Sequence, residues 1–99
     1  MDNQFVSRGG IKLQAALDQF QVDVKNKVIL DVGSSTGGFV DCLLQNGTKK
    51  VYAVDTCYGE LAWKLRNDPR VVVMERTNIL HLADLSEKVD LITIDAGWT

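Results

Sequence analysis

The sequence holds one proline, Pro69, one histidine, His81, and two cysteines, Cys42 and Cys57, and each scarcity removes a class of protein. The cysteines form no CxxC pair and have a single histidine for company, which is too little for a metal site of usual ligand spacing. They read instead as two small buried hydrophobes in a reducing compartment. No apolar run approaches the roughly 20 residues that span a bilayer, and the first residues lack a signal-peptide core, so the expected location is cytoplasmic with no membrane partner. Charge of one sign is also missing: 11 basic residues face 13 acidic ones, so any contact with a polyanion must be local. Tryptophan occurs twice; Trp63 reads as packing under a helix, and Trp98 has no assignment. Repeats and low-complexity tracts are absent, and 99 residues that are 45% hydrophobic bound the chain to one globular domain at most.

What is present is concentrated in Val28 to Phe39, VILDVGSSTGGF. An apolar run interrupted by one acid, then a glycine, three small hydroxylated residues and a glycine pair, reads as a buried parallel strand, a tight turn and the start of a helix. Gly33 lets the backbone leave the strand, Ser34, Ser35 and Thr36 keep the turn narrow and polar, and Gly37 and Gly38 are expected to let a ligand approach closely. Asp31 decides which ligand. A pyrophosphate on the helix N-terminus would be repelled by an acid in that turn. An ammonium group would be attracted, and S-adenosyl-L-methionine carries one. The spacing D-x-G-x-x-x-G-G resembles the first motif of Rossmann-like methyltransferases. Asp55 ends a second strand-like run, Val51 to Asp55, where a nucleotide-binding α/β unit hydrogen-bonds ribose hydroxyls.

Along the chain, Leu13, Ala16, Leu17 and Phe20 make one stripe of an amphipathic helix over Ile11 to Phe20, expected to pack on the sheet. Ser7 is a candidate cap and the pair Gly9–Gly10 loosens the helix start. Arg8 and Lys12 are either solvated charges or a local phosphate contact. A helix over Gly38 to Asn46 turns Phe39, Cys42 and Leu43 inward, and Asn46–Gly47 stops it in the left-handed conformation. A third helix is expected over Gly59 to Arg66, with Leu61, Ala62 and Leu65 inward, ended by Asn67–Asp68–Pro69. The third strand, Arg70 to Met74, reads as covered on both faces. After it, Glu75 to Asn78 falls where open α/β sheets bind ligands, so Thr77 and Asn78 are candidates for reading an adenine edge, unless Asn78 merely caps a helix starting at Ile79. The fourth strand, Val89 to Asp95, brings a third strand-end acid. Acids at the ends of apolar strands are rare unless paired or functional, so Asp31, Asp55 and Asp95 mark one edge of the sheet as the active one.

The runs SRGGIKLQAALDQF, KVILDVGSSTGGFVDCLL, VYAVD, YGELAWKLRNDPRVVVMERTN and DLITID closely resemble the TlyA subfamily of FtsJ-like methyltransferases, over nearly the whole chain. The resemblance implies ribose 2'-O-methylation of ribosomal RNA with S-adenosylmethionine as cofactor. In that family the catalytic set is Lys-Asp-Lys-Glu; Lys12 matches the first Lys and Asp95 the Asp, while the other two would lie beyond Thr99. A ribose hydroxyl is a weak acid, so such an enzyme needs a positioned base. Arg8 and Lys12 become the expected RNA contacts. The family usually continues from that Asp as V-S-F, whereas this sequence reads Ala96–Gly97–Trp98–Thr99. Members are often labelled haemolysins, but nothing in this sequence suggests a pore. The resemblance implies a partial FtsJ-like domain over residues 1–99, the cofactor-binding half, cut at both ends and inactive in methyl transfer by itself.

The fold expected from all this is α/β, a partial Rossmann-like methyltransferase sheet of four parallel strands in spatial order 3-2-1-4 with flanking helices. The outer edge of the fourth strand, with Leu91, Ile92 and Ile94 and no Pro or Lys, is expected to pair with a second copy or to leave the chain marginally stable and poorly soluble. Two other readings stay open: a non-catalytic interaction or cofactor-binding module, and half of an NAD-type oxidoreductase, which suits Asp55 but neither Asp31 nor the missing GxGxxG.

Overall fold

A computed structural model describes residues 4–78, 85 and 87–95. In chain order they form α1 (Arg8–Phe20), β1 (Val28–Val32), α2 (Gly38–Gln45), β2 (Lys50–Val54), α3 (Trp63–Arg66), β3 (Val71–Met74) and β4 (Leu91–Ile94). The strands make one sheet in the order β3-β2-β1-β4, with every pairing parallel. This is the expected order: crossovers through α2 and α3 lay each new strand outward from β1 until the chain returns to the other side.

Burial follows strand position. β1 and β2 are sealed on both faces, with Ile29 and Val51 fully buried. One face of the sheet joins the helices: Ile29, Val51 and Ala53 pack with Phe39, Val40, Leu43, Leu61 and Leu65. Val28, Leu30, Tyr52 and Val54 form a smaller cluster on the other face, with Leu85 and Val89 against it. β3 departs from expectation, because as an edge strand paired only with β2 it is half-buried throughout rather than covered on both faces. α2 is buried from Gly38 to Leu44, well beyond the three inward residues that periodicity suggests, because it lies between the sheet and α1.

Several local expectations give way to packing. α1 rests chiefly on α2 rather than on the sheet, and only Gly10, Leu13 and Leu17 are buried in it. Phe20 is 71% exposed because α1 ends there, with Gln21 in the left-handed conformation turning the chain away. Gly9 and Gly10 lie inside α1, and Phe5 fills the space that a Cβ at Gly10 would need. Ser7 occupies the N-cap position without a side-chain hydrogen bond. At the end of α2 Gly47 has φ +87 but Asn46 has φ −92, so the glycine alone is left-handed.

The third helix is four residues long, not eight. Gly59 at φ +77 and Ala62 in an extended conformation hold residues 59–62 out of it. Leu61 and Leu65 fill the core, so Trp63, halfway between them, projects outward and is 78% exposed rather than packed. Cys42 is buried as expected, with burial foremost and nearby Asp41 and Asp18 pushing its thiol up to about 11, whereas Cys57 lies on an exposed loop. No described helix is long and apolar enough to cross a membrane. His81, Trp98, Ala96 to Thr99 and the helix expected after Asn78 lie outside the described residues.

Candidate active site

The strand-to-helix turn after β1 is closed by its own backbone. The amides of Gly33 and Ser34 both donate to the Val54 carbonyl, at 2.8 and 3.2 Å, and Gly37 donates back to Ser34 at 2.8 Å. Gly33 (φ +77), Ser35 (φ 53) and Gly37 (φ +101) all take positive φ, so the turn reverses within five residues. The glycines do different jobs. A Cβ on Gly33 would meet nothing nearer than the Asp95 carbonyl at 3.7 Å. A Cβ on Gly37 would strike Leu65 and come within 2.7 Å of Leu61, and one on Gly38 would strike the Ser7 hydroxyl and lie 2.8 Å from the Gly10 nitrogen. Of the three, Gly33 alone therefore fronts open space; Gly37 admits Leu61 and Leu65, and Gly38 admits α1.

Asp31 is not at the end of its strand but one residue inside it, and it is 1% exposed. Its Oδ1 accepts a 2.7 Å hydrogen bond from the Thr93 hydroxyl across the β1–β4 pair, and Oδ2 has no partner among the described residues. Burial is the main reason that its carboxyl is raised to about 6; bonds from Thr93 and Ser34 pull the other way, and the charges of Asp95 and Asp55 add to the rise.

Asp55 follows β2 and binds the two turns together. Its Oδ2 accepts from the Ser35 amide at 2.6 Å and its Oδ1 from the Cys57 amide at 3.0 Å. It lines a recess with Ser35, Cys57, Glu60 and Glu75. Thr77 bonds to this region through its backbone, donating to the Asp55 carbonyl at 2.9 Å, while its hydroxyl donates to the Glu75 carbonyl; Asn78 is exposed at the same end. The Glu75 carboxylate takes bonds from Arg66 and from the Gly59 amide, and in that order they lower its pKa below the usual range. Beside it the Arg76 guanidinium sits 4.8 Å from the Tyr58 ring centre. Sequence reasoning missed this role of Glu75, because nothing in a linear pattern signals a carboxylate 9 residues from the guanidinium and 16 from the amide that it holds.

Lys12 and Asp95, 83 residues apart, meet directly: Nζ lies 3.0 Å from Oδ1. The pair is open to solvent, with the Lys12 side chain 67% exposed and that of Asp95 33%. Asp95 lines a second recess with Ser7, Gly9, Gly33, Ser34 and Phe39, so the N-terminal end of α1 faces the turn after β1 across it. Arg8 is exposed at that end and forms no ion pair among the described residues. All the residues singled out in the sequence thus fall at one end of the sheet. Thr93 and Ser7 join them, and only strand register and helix packing reveal those two.

The same topology occurs in a solved structure of a candidate hemolysin from Lactococcus lactis, with 49% identity and a TM-score of 0.89 over 95% of this chain and 47% of that one. A candidate rRNA methyltransferase of Bacillus subtilis, YqxC, is 56% identical over 98 residues, which are 96% of this chain and 35% of that protein. The 16S/23S rRNA (cytidine-2'-O)-methyltransferase TlyA of Mycobacterium tuberculosis is 49% identical over 99 residues, or 98% of this chain and 37% of that protein. This chain spans about a third of the length of these two curated relatives. Residues 5–99 match the FtsJ-like methyltransferase family, and with the sheet order and the turn after β1 in agreement, the chain belongs to that family.

Proposed function

We propose that this chain is the cofactor-binding portion of an S-adenosylmethionine-dependent methyltransferase that acts on ribose 2'-hydroxyls of ribosomal RNA. The observation that carries the reading is the Lys12–Asp95 pair at the rim of the recess under Gly33. Two residues distant in sequence are brought together where an ion pair contributes little to stability, beside a turn whose one open glycine faces them.

The residues suit the cofactor. Asp31 offers an orphaned buried carboxylate oxygen to an ammonium group, Gly33 leaves room beside the backbone, and Asp55 presents a carboxylate to ribose hydroxyls. Ser34, Ser35, Thr36, Gly37 and Gly38 shape the turn, and Thr77 and Asn78 border the adenine end. When bound, the cofactor supplies an electrophilic methyl group. Lys12, in its neutral amine form, is the group assigned to take the hydroxyl proton, and Asp95 holds it at the rim. Arg8, exposed in the first turn of the same helix, is suited to an RNA phosphate.

Titration of S-adenosylmethionine into the purified chain by calorimetry tests the reading. One saturable site, weakened by Asp31→Asn, is expected; no binding at millimolar cofactor overturns it. The proposal extends to self-association, because β4 has no outer partner among the described residues and Ile92 and Ile94 are 55% and 63% exposed. Sedimentation equilibrium is expected to show a dimer, and a monomer at all concentrations would refute that part.

A further inference from the structure

Asp31 is held in a way that the cofactor reading alone does not explain. It lies in the central strand, in register with Ala53 of β2 on one side and Thr93 of β4 on the other. Thr93 is the one buried residue of β4, 8% exposed, and its hydroxyl donates to Oδ1 of Asp31 at 2.7 Å. On the other side of Asp31 the Ser34 hydroxyl donates to the carbonyl of Asp31 itself, and Ser34 lines the recess with Gly33 and Asp95. The carboxyl therefore lies beneath the wall of that recess rather than on its surface.

A hydroxyl bond orients a carboxylate without neutralising it. The charged groups around Asp31 do not neutralise it either. Asp55 at the end of β2 and Asp95 at the end of β4 are acidic, and Lys12 of α1 is engaged with Asp95. Within the described residues the Oδ2 oxygen is buried, charged when ionised and unpaired. Such a group costs free energy unless something cationic meets it.

We propose that Thr93 is a positioning residue for the cationic end of S-adenosylmethionine: by holding Oδ1 of Asp31 it fixes the buried carboxylate with Oδ2 kept as the unshared counter-charge for the ligand's ammonium group. The proposal rests on the cofactor reading above. It assigns to the fourth strand a role in binding distinct from that of Asp95, and it implies that β4 must be in register before the cofactor is held well.

The test compares Thr93→Val, which keeps shape and strand preference but removes the donor, with Thr93→Ser, which keeps the donor. Cofactor affinity of the full chain is measured by calorimetry from pH 5.5 to 8. Thr93→Val is expected to weaken binding about tenfold at pH 6, as loss of one hydrogen bond to a charged group should. Because the Thr93 bond lowers the carboxyl's proton affinity, its removal raises that affinity, so the defect should shrink toward pH 8 and the midpoint of the affinity profile should move to higher pH. Thr93→Ser should stay within about threefold of the parent across the range. A packing defect would lower affinity by the same factor at every pH, and that result overturns the proposal, as does parental binding by Thr93→Val or a loss in Thr93→Ser equal to that in Thr93→Val. If Thr93→Val does not fold, Thr93→Cys, a similar volume with a weak donor, takes its place with the same expectations. Asp31→Asn separates the two readings: if it binds as tightly as the parent, the assignment of Asp31 to the cofactor fails, whereas if it loses binding and Thr93→Val does not, only the role of Thr93 fails.

Discussion

The turn after β1 and the loop after β2 flank the same recess, but the first is fixed by shape and the second by charge. Residues 33–37 are pinned chiefly by backbone bonds to the Val54 carbonyl and by Leu61 and Leu65, which occupy the space a side chain on Gly37 would need, with the Ser35 amide alone held by Asp55. Residues 55–62 have little apolar anchoring before Leu61; they are tied by the carboxylates of Asp55 and Glu75 to the amides of Cys57 and Gly59. Shape is indifferent to pH, and at Gly37 it leaves no room for a side chain. Charge can be shared, so Asp55 can staple a loop and still offer lone pairs to a ligand.

The sharpest way to test the shape-held side is to add one methyl group at each of two glycines of its turn. Gly37→Ala must hold a Cβ at φ +101 and push Leu61 and Leu65 out of the core, which should cost roughly 2–5 kcal/mol, enough to unfold a domain this small. Gly33→Ala carries only the backbone penalty of about 1 kcal/mol, but its methyl enters the recess. Urea midpoints should therefore separate the two variants widely. Cofactor affinity should fall in Gly33→Ala although it stays folded. Equal destabilisation would show that the turn is not held by the leucines.

Asp31 supplies the next largest effect, and its sign is unusual. A carboxyl raised from 3.8 to about 6 in the folded chain binds its proton more tightly there than when unfolded. It therefore destabilises the fold above pH 6, by about 3 kcal/mol at most, and the penalty fades as the pH falls from 6 toward 4. Asp31→Asn keeps the acceptor for Thr93 and removes the charge. It should be more stable than the parent by about 1–3 kcal/mol at pH 7.5 and equal to it near pH 3.5. Thermal melts at both pH values check this. A variant less stable at pH 7.5 would mean that the charge is compensated by a group not seen here.

In the charge-held loop, Asp55→Ala removes the acceptor of two amides and the candidate ribose ligand together. About 1–3 kcal/mol should be lost from stability and a similar amount from cofactor binding, the latter roughly tenfold or more. Urea denaturation and calorimetry read the two separately. A loss of stability with unchanged affinity would leave Asp55 as a staple only.

The order of the strands was legible because each is a short Val- or Ile-rich run closed by an acid or a glycine, and parallel sheets permit few arrangements of such runs. Where the third helix starts was not legible, because the bond that holds Gly59 outside it comes from Glu75. The same limit explains Phe20 and Trp63. Both sit at the boundary of a helix, and periodicity cannot say on which side of that boundary the core stops. Gly37 and Gly38 were recognised as necessary, but for ligand approach, when it is Leu61, Leu65 and Ser7 that need their space. Thr93 could not have been found without the β1–β4 register. That Lys12 and Asp95 belong to one set came from family resemblance alone, and their direct contact was not expected, since no local pattern connects residues 83 apart.

That last pair gives the smallest expected effect and the clearest separation of stability from function. An exposed Lys–Asp contact gains modest Coulomb energy in high dielectric and loses side-chain entropy, so Lys12→Ala should change stability by less than about 1 kcal/mol. Cofactor affinity should stay within about twofold, because Asp31, Gly33 and Asp55 are untouched. The same substitution should remove methyl transfer to ribosomal RNA wherever the parent shows it, since it takes away the proton acceptor rather than the binding surface. Denaturation, calorimetry and transfer of a labelled methyl group on one preparation decide the matter. If Lys12→Ala lowers stability by 2 kcal/mol or more, the pair is a clamp between α1 and β4. If transfer survives, Lys12 is a solvated charge at the start of a helix.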